Sequence, residues 1–343
     1  MTESAVSVEV HGLTKLYGDV KALVDVDFTV HAGEIVGLLG PNGAGKTTTM
    51  KILTGFLGAT RGSAKVCGFD VAENSMEVRR RVGYLPETVP LYEDMVVYDY
   101  LKFVANMRQV PSGEVHSRIK ETADVCGLSH MAGRFIREMS KGYRQRVGLA
   151  QALIHKPEVV ILDEPTSGLD PNQIIEIRDL IKEIGREKTI IFSTHILQEV
   201  AAVCDRIIVI KGGSKVADGT VAELDRRVRS EERYTVTLAP TGSESPSGDV
   251  VREKLAALGG VEHVDLLSSS AAEFAFLVRS GRGVDIRHDV FQLATDNGLA
   301  LLGSERARLT LEDIFRSLTG DADKLEADLR GRASASSSAE EAA

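Results

Sequence analysis

Strand-like and helix-like segments alternating over residues 6 to 225 predict an α/β domain with a helical insert, and a smaller α+β domain is predicted behind it. Three stretches carry that expectation. An apolar run, Glu34 to Leu39, leads into Gly40-Pro41-Asn42-Gly43-Ala44-Gly45-Lys46-Thr47-Thr48, and Thr49 to Thr54 reads as the first turns of a helix. Strand, glycine-rich loop and helix is the arrangement of a phosphate-binding P-loop. Val159 to Leu162 is an apolar strand that ends in Asp163, Glu164 and Pro165. A buried parallel strand of this kind presents its carboxylates at the sheet end where α/β folds bind ligands. From Arg233 onward the order strand, helix, strand, strand, helix, strand is that of the ferredoxin-like split motif.

The loop's residue types have physical reasons. Gly40, Gly43 and Gly45 let the backbone curl so that successive N–H groups face one anion. The helix start adds about half a positive charge at the same place. Lys46 supplies a mobile charge for the β- and γ-phosphates, and the Thr47 hydroxyl is placed to ligate Mg²⁺. At the acidic strand end, Asp163 would hold Mg²⁺ through water and Glu164 would polarise the attacking water as general base. The bland alternative, a strand ending in a solvated turn, loses ground with a phosphate loop upstream.

Composition narrows the partners. The chain has 343 residues, is 43% apolar, lacks Trp and carries a net charge of -9. No basic block of the nucleic-acid kind occurs, so nucleic acid is not the expected partner. No apolar run approaches the roughly 18 residues that span a bilayer. Met1 to Ala5 lacks the basic and apolar regions of a signal peptide. Cys67, Cys126 and Cys204 lie far apart and are expected to be unpaired thiols rather than a metal site or disulfide. The expected location is the cytosol, or the cytosolic side of a membrane.

In chain order, Val6 to Val10 and Ala22 to Val30 alternate as strands do, with a turn expected at Thr14 to Gly18. Tyr17 in that turn either stacks on a purine or is an ordinary surface ring. Gly62 to Gly68 reads as a short strand between turns and Met76 to Arg81 as a helix. Arg81 to Glu87 reads as a strand stopped at Pro86. Helical periodicity follows between residues 91 and 131, with Val97, Leu101, Val104 and Ala105 on one stripe and Ile119, Ala123, Val125 and Leu128 on another. Ser140 is a plausible N-cap for a helix reaching Leu153. Pro171 opens a helix from Asn172 to Arg186, and Thr189 to His195 is a buried strand that ends in a histidine beside the inferred γ-phosphate site. Arg206 to Ile210 is a further strand, with a hairpin turn at Lys211 to Gly213.

Taken together, the P-loop at 40 to 48, the Asp163-Glu164 strand end, Ser167-Gly168-Leu169-Asp170, His195 and Tyr17 resemble the nucleotide-binding subunit of an ATP-binding cassette (ABC) transporter. The resemblance covers residues 6 to 225. It implies that ATP and Mg²⁺ are bound by Tyr17, Asn42, Gly43, Ala44, Gly45, Lys46, Thr47 and Thr48, with Thr47, Glu87 and Asp163 at the metal and Glu164, His195 and Lys46 in catalysis. It also implies that a second ATP-binding subunit, in a homodimer, contributes Ser140 and Gly142 across the nucleotide. Two places depart from the family's commonest pattern. Met139-Ser140-Lys141-Gly142-Tyr143 stands where the signature is usually Leu-Ser-Gly-Gly-Gln, and Glu87 stands where the loop usually carries Gln. Both departures resemble exporter ATPases linked to gliding motility and multidrug efflux. An integral membrane permease, encoded separately, is then the expected partner, with Leu91, Tyr92 and Met95 as candidate contacts.

The expected domains are 1–225 (with a helical subdomain at about 91–140), 226–320 and a disordered tail at 321–343. Glu223 to Glu232 reads as a polar connecting helix and Leu311 to Leu318 as a last amphipathic helix. No cluster of His, Cys or paired acids in residues 233 to 318 suggests chemistry. Regulation or dimer packing is the working expectation for that domain. Two other readings stay open: an importer ATPase regulated by the C-terminal domain, and a soluble cassette protein acting in translation or DNA repair.

Overall fold

The computed structural model describes residues 5–228, 231–242, 246–270 and 272–306. The expected helix at Leu311 to Leu318 and the tail lie outside these residues. The chain divides into two compact units, Met1–Val221 and Ala222–Ala343.

In the first unit, β1 (Val6–Tyr17) and β2 (Val20–His31) form a long antiparallel hairpin, followed by β3 (Ile35–Leu39) and α1 (Lys46–Leu53). Next come β4 (Arg61–Val66), β5 (Phe69–Asp70), α2 (Ser75–Arg81) and β6 (Val82–Leu85). The helical insert supplies α3 (Val97–Met107) and α4 (Val115–Val125). The order then runs α5 (Lys141–Leu153), β7 (Val159–Asp163), α6 (Pro171–Gly185), β8 (Thr189–Thr194), α7 (Leu197–Val203), β9 (Arg206–Lys211) and β10 (Ser214–Gly219).

These strands make two sheets. An antiparallel sheet has the order β2-β1-β4-β5, and a six-stranded sheet has the order β10-β9-β3-β8-β7-β6. Strands β9, β3, β8, β7 and β6 pair in parallel, and β10 closes one edge antiparallel. Every residue of β3, β7 and β8 is buried, as expected of strands covered on both faces. The C-terminal ends of these strands converge on one edge of the sheet, and there the polar residues begin.

In the second unit, α8 (Val221–Val228) leads to β11 (Glu231–Pro240), α9 (Gly248–Ala256), β12 (Val261–Ser269), β13 (Phe274–Gly281), α10 (Arg287–Asp296) and β14 (Leu299–Arg306). The sheet order β12-β13-β11-β14, antiparallel throughout, is the ferredoxin-like topology expected from the order of elements. Val236, Leu238, Phe276, Val278, Val251, Leu255 and Val290 form its buried core.

Four expectations change. Thr14 to Tyr17 is strand rather than turn. A bulge at Gly12, whose φ is +56°, shifts the register, and pairing then continues to Tyr17 opposite Val20. The turn is therefore only Gly18 and Asp19, the two-residue loop that hairpins favour. Glu231 and Glu232 open β11 rather than closing a helix, because α8 stops at Val228. Val125 is exposed, falling off the apolar stripe of α4 that buries Ile119 and Ala123. Leu91 and Met95 are half-buried; among the three candidate contacts Tyr92 is the exposed one.

Candidate active site

The phosphate loop lies between β3 and α1, held by contacts that tolerate no side chain. A Cβ on Gly40 would meet the Ile210 carbonyl oxygen at 2.2 Å, and one on Gly45 would meet the Ala22 carbonyl oxygen at 2.6 Å. Gly45 also has φ +113°, a backbone region L-residues rarely occupy. Loop and neighbouring strand ends enclose a cavity of about 440 Å³, lined by Asn42 through Thr48 together with Glu87, Glu164, Ser167 and His195.

Charged groups meet in this cavity. The Lys46 ammonium, on a residue only 5% exposed, donates to the Gly40 carbonyl at 2.8 Å and lies 3.3 Å from Glu164 Oε1. Glu164 Oε2 is 2.9 Å from His195 Nδ1. One carboxylate thus touches a lysine through one oxygen and an imidazole through the other. Glu164 has φ +48°, a conformation that costs a non-glycine residue roughly 1–3 kcal/mol. Its amide is pinned there by the Ser193 hydroxyl at 3.0 Å and the Ser193 carbonyl at 3.2 Å.

Behind the loop, Asp163 is 1% exposed. Its Oδ1 accepts from the Thr47 hydroxyl at 3.1 Å and from the Ser193 hydroxyl at 2.6 Å. A hydroxyl and a carboxylate side by side are hard oxygen donors of the kind Mg²⁺ selects. Among the described residues no three His, Cys, Asp or Glu side chains converge as a metal cage. Mg²⁺ usually takes one or two protein carboxylates and completes its shell with phosphates and water. Exposed Glu87 lines the same cavity from the loop after β6.

The remaining predicted residues lie elsewhere on the unit. Tyr17 is 48% exposed near the end of β1, with the Lys15 ammonium 5.3 Å from its ring centre. Ser140 and Gly142 are not among the cavity's lining residues; they form the start of α5. Ser140 caps this helix by accepting from the Tyr143 amide at 3.4 Å. Gly142 packs so closely on Gln173 that a Cβ would sit 2.6 Å from the Gln173 side chain. Lys141 extends over Gly168, where a Cβ would lie 2.1 Å from its ammonium.

Two residues near the site carried no sequence signal of their own. Tyr84, on β6, has a buried hydroxyl without a hydrogen-bond partner. Burial, and then the neighbouring Asp163 and Glu87 carboxylates, push its phenol well above its ordinary value. Glu199, on α7, is 2% exposed and bonded to Thr166 and Thr194. Tyr84 also lines a second cavity of about 550 Å³, which it shares with Phe56, Tyr92, Phe103 and Met107. Phe56 is 77% exposed and Met107 67%.

Fold and site define a P-loop nucleotide triphosphatase of the cassette type, and comparison with known proteins narrows the class. The ABC transporter family profile matches residues 23–167. An ABC transporter ATP-binding protein of Methanocaldococcus jannaschii is 40% identical over 222 residues, 64% of this chain and 80% of that protein. A counterpart in Synechocystis sp. is also 40% identical, and the match spans 61% of its length. The linearmycin resistance ATP-binding protein LnrL of Bacillus subtilis is 28% identical over 314 residues, 91% of this chain and 98% of LnrL. The solved structure of an ATP-binding subunit of an ABC transporter aligns with TM-score 0.59 and 32% identity, over 64% of this chain and 92% of that one. The chain belongs to the family of ABC transporter ATP-binding subunits.

Proposed function

We propose that this chain hydrolyses ATP with Mg²⁺ to power export through a separately encoded membrane permease, as one of two like subunits that hold ATP between them. The observation that carries this reading is Glu164, held between Lys46 at 3.3 Å and His195 at 2.9 Å at the mouth of the phosphate loop.

The proposed roles follow from these contacts. Backbone N–H groups from Asn42 to Thr48 and the start of α1 cradle the phosphates, and Lys46 neutralises the β- and γ-phosphoryl oxygens. Thr47, Asp163 and Glu87 hold Mg²⁺, which when bound draws charge from the phosphoryl oxygens. Glu164 orients a water and accepts its proton; His195 fixes the free rotation of that carboxylate. Tyr17 offers its exposed ring to the adenine. Ser140 and Gly142 reach the γ-phosphate of the opposite subunit, and the α5 N-terminus behind them favours an anion. Lys141 adds a cation at the same end of that helix.

The cavity lined by Phe56, Tyr92, Phe103 and Met107 suits an apolar protein segment more than a nucleotide, and we assign it to the permease's cytosolic surface. The subunit then sits on the cytosolic side of the membrane; among the described residues no helix is long and apolar enough to cross it. Export is favoured over import by the 36% identity, over 63% of this chain, to the Nod factor export ATP-binding protein I of Cupriavidus pinatubonensis.

The test is capture of tagged Glu164→Gln protein from detergent-solubilised native membranes with ATP and Mg²⁺. Recovery of a multi-span membrane protein is expected. Recovery of ribosomal or DNA-repair proteins alone overturns the transport reading.

A further inference from the structure

We propose that Glu199 is a positioning residue for ATP hydrolysis: a buried carboxylate that ties the Glu164 loop to the His195 loop from behind. The inference rests on the hydrolytic reading of Glu164 and His195 given above.

The need for such a tie follows from the sheet. Strands β7 and β8 pair in parallel from Val159 opposite Thr189 to Asp163 opposite Ser193. Glu164 is the residue after Asp163, its amide bonded to Ser193, and His195 is the second residue after Ser193; both side chains lie past the last ladder partners. Beyond that point the two loops are free to separate unless something else joins them. In front, they meet through Glu164 Oε2 and His195 Nδ1. Behind, they meet through Glu199. Its Oε2 accepts from the Thr166 hydroxyl at 2.8 Å and from the Thr194 hydroxyl at 2.8 Å. Thr166 is two residues after Glu164, and Thr194 immediately precedes His195. The Thr194 hydroxyl in turn accepts from the Ile196 amide at 3.0 Å, which shapes the backbone on the far side of His195.

All three members are buried: Thr194 at 0%, Glu199 at 2% and Thr166 at 5% exposure. A single carboxylate oxygen therefore serves two loops, while Oε1 is buried without a hydrogen-bond partner. A carboxylate in such surroundings is costly to bury. An apolar side chain could fill the same space but would leave the buried Thr166 and Thr194 hydroxyls without this acceptor. The carboxylate instead supplies the one feature an apolar side chain lacks, an acceptor shared by both loops. Glu199 touches neither the phosphate loop nor any residue lining the nucleotide cavity through these bonds. Its influence on hydrolysis is therefore on the Glu164–His195 geometry and not on nucleotide binding.

The experiment compares full-length wild type with Glu199→Ala, Glu199→Gln, Thr166→Val and Thr194→Val. Misplacing a reacting group costs rate rather than affinity, so Glu199→Ala is expected to lower kcat for ATP at least about ten-fold while KM and the Kd for a fluorescent ATP analogue stay within about two-fold. Glu199→Gln keeps an acceptor oxygen and is expected to return to within about three-fold of wild type. An unchanged kcat in Glu199→Ala, a fall in ATP affinity matching the fall in kcat, or failure of Gln to rescue overturns the proposal. Should Glu199→Ala not fold, each threonine variant removes one donor and is expected to show the same split. Hydrogen exchange reads the clamp without turnover: peptides covering 164–167 and 193–199 are expected to exchange faster in Glu199→Ala than in Glu199→Gln, with 40–48 unchanged. Wild type that fails to hydrolyse ATP removes the proposed function, whereas an exchange pattern indifferent to Glu199→Ala removes the clamp.

Discussion

The parallel sheet of the first unit and the antiparallel sheet of the second bury apolar side chains by the same rule but treat polar ones differently. In the first unit Lys46, Asp163, Glu164, Thr166, Ser193, Thr194 and Glu199 are all buried, and all lie at or just past the C-terminal ends of β3, β7 and β8. In the second unit the buried polar side chains among the described residues are Glu232 and Ser280. Glu232 is matched by Arg306 across the β11–β14 pair, and Ser280 donates to the Val284 carbonyl at 3.1 Å. Burying a polar group costs free energy unless it is hydrogen-bonded, and a charge costs more. The second unit keeps that cost small. The first also buries Thr54, Thr122, Gln145 and Thr189 elsewhere, but among the described residues its buried charged side chains, Lys46, Asp163, Glu164 and Glu199, gather at a single edge, where the left-handed Glu164 adds backbone strain. The difference sets the cluster of buried charges around the phosphate loop in one unit and a mostly apolar core in the other.

The sharpest way to break that contrast is to remove the charge at its centre. Glu164→Gln is expected to lower ATP turnover by about 10² to 10⁴, the usual contribution of a general base, with ATP affinity kept. Steady-state phosphate release and nucleotide binding decide it; an unchanged turnover rate ends the assignment of Glu164.

The complementary cut is in the second unit. Phe276, fully buried on β13, should cost about 3–5 kcal/mol of that unit's stability as Phe276→Ala. ATP turnover is expected to stay within about two-fold of wild type, since no residue near Phe276 contributes to the nucleotide cavity. A ten-fold fall in turnover, measured below the unfolding temperature, shows that the two units share a function.

A smaller effect sharpens the boundary of the site itself. Tyr17 sits outside the cavity lining, exposed on β1. As a one-sided stacking platform it should contribute about 1 kcal/mol, so Tyr17→Ala is expected to weaken ATP about five-fold. Tyr17→Phe should bind as wild type does. Equal loss in both variants points to the hydroxyl and away from stacking.

How much of this was legible in the sequence follows the same division. The P-loop, the acidic strand end and His195 are local signals, because strand, turn and helix are adjacent in the chain and residue type reports backbone need. The βαββαβ order of the second unit was readable for the same reason. What could not be read is set by distance along the chain. Glu199 stands four residues after His195 on a helix, where a glutamate is ordinarily solvated; only the pairing of β7 with β8 brings Thr166 to it. Tyr84 looks like one more strand aromatic until the sheet sets it near Asp163 and Glu87. Thr14 to Tyr17 reads as a turn because the bulge at Gly12 breaks the alternation that marks a strand.

The smallest effect tests whether charge outside the site behaves alike in both units. Each sheet carries an arginine–aspartate pair between neighbouring antiparallel strands: Arg206 with Asp218 at 2.6 Å in the first, Arg279 with Asp265 at 2.9 Å in the second. Burial alone would raise both carboxyls. Hydrogen bonds from Arg206 and Lys215 to Asp218, and from Arg279 and His263 to Asp265, outweigh it and hold both below the ordinary aspartate value. A depressed folded-state pKa means stability that is fully present above the unfolded value, about 3.9, and is lost as pH falls through the lower folded value. With these side chains only about a fifth exposed, Asp218→Asn and Asp265→Asn should each cost about 1 kcal/mol at pH 7. The difference from wild type should shrink below about pH 4 as the aspartates protonate. Urea unfolding at pH 7 and pH 3 reads both. A cost undiminished between pH 7 and pH 3 assigns the loss to packing. A loss of ATP turnover in Asp218→Asn alone, at unchanged stability, extends the functional edge of the first unit to the β9–β10 hairpin.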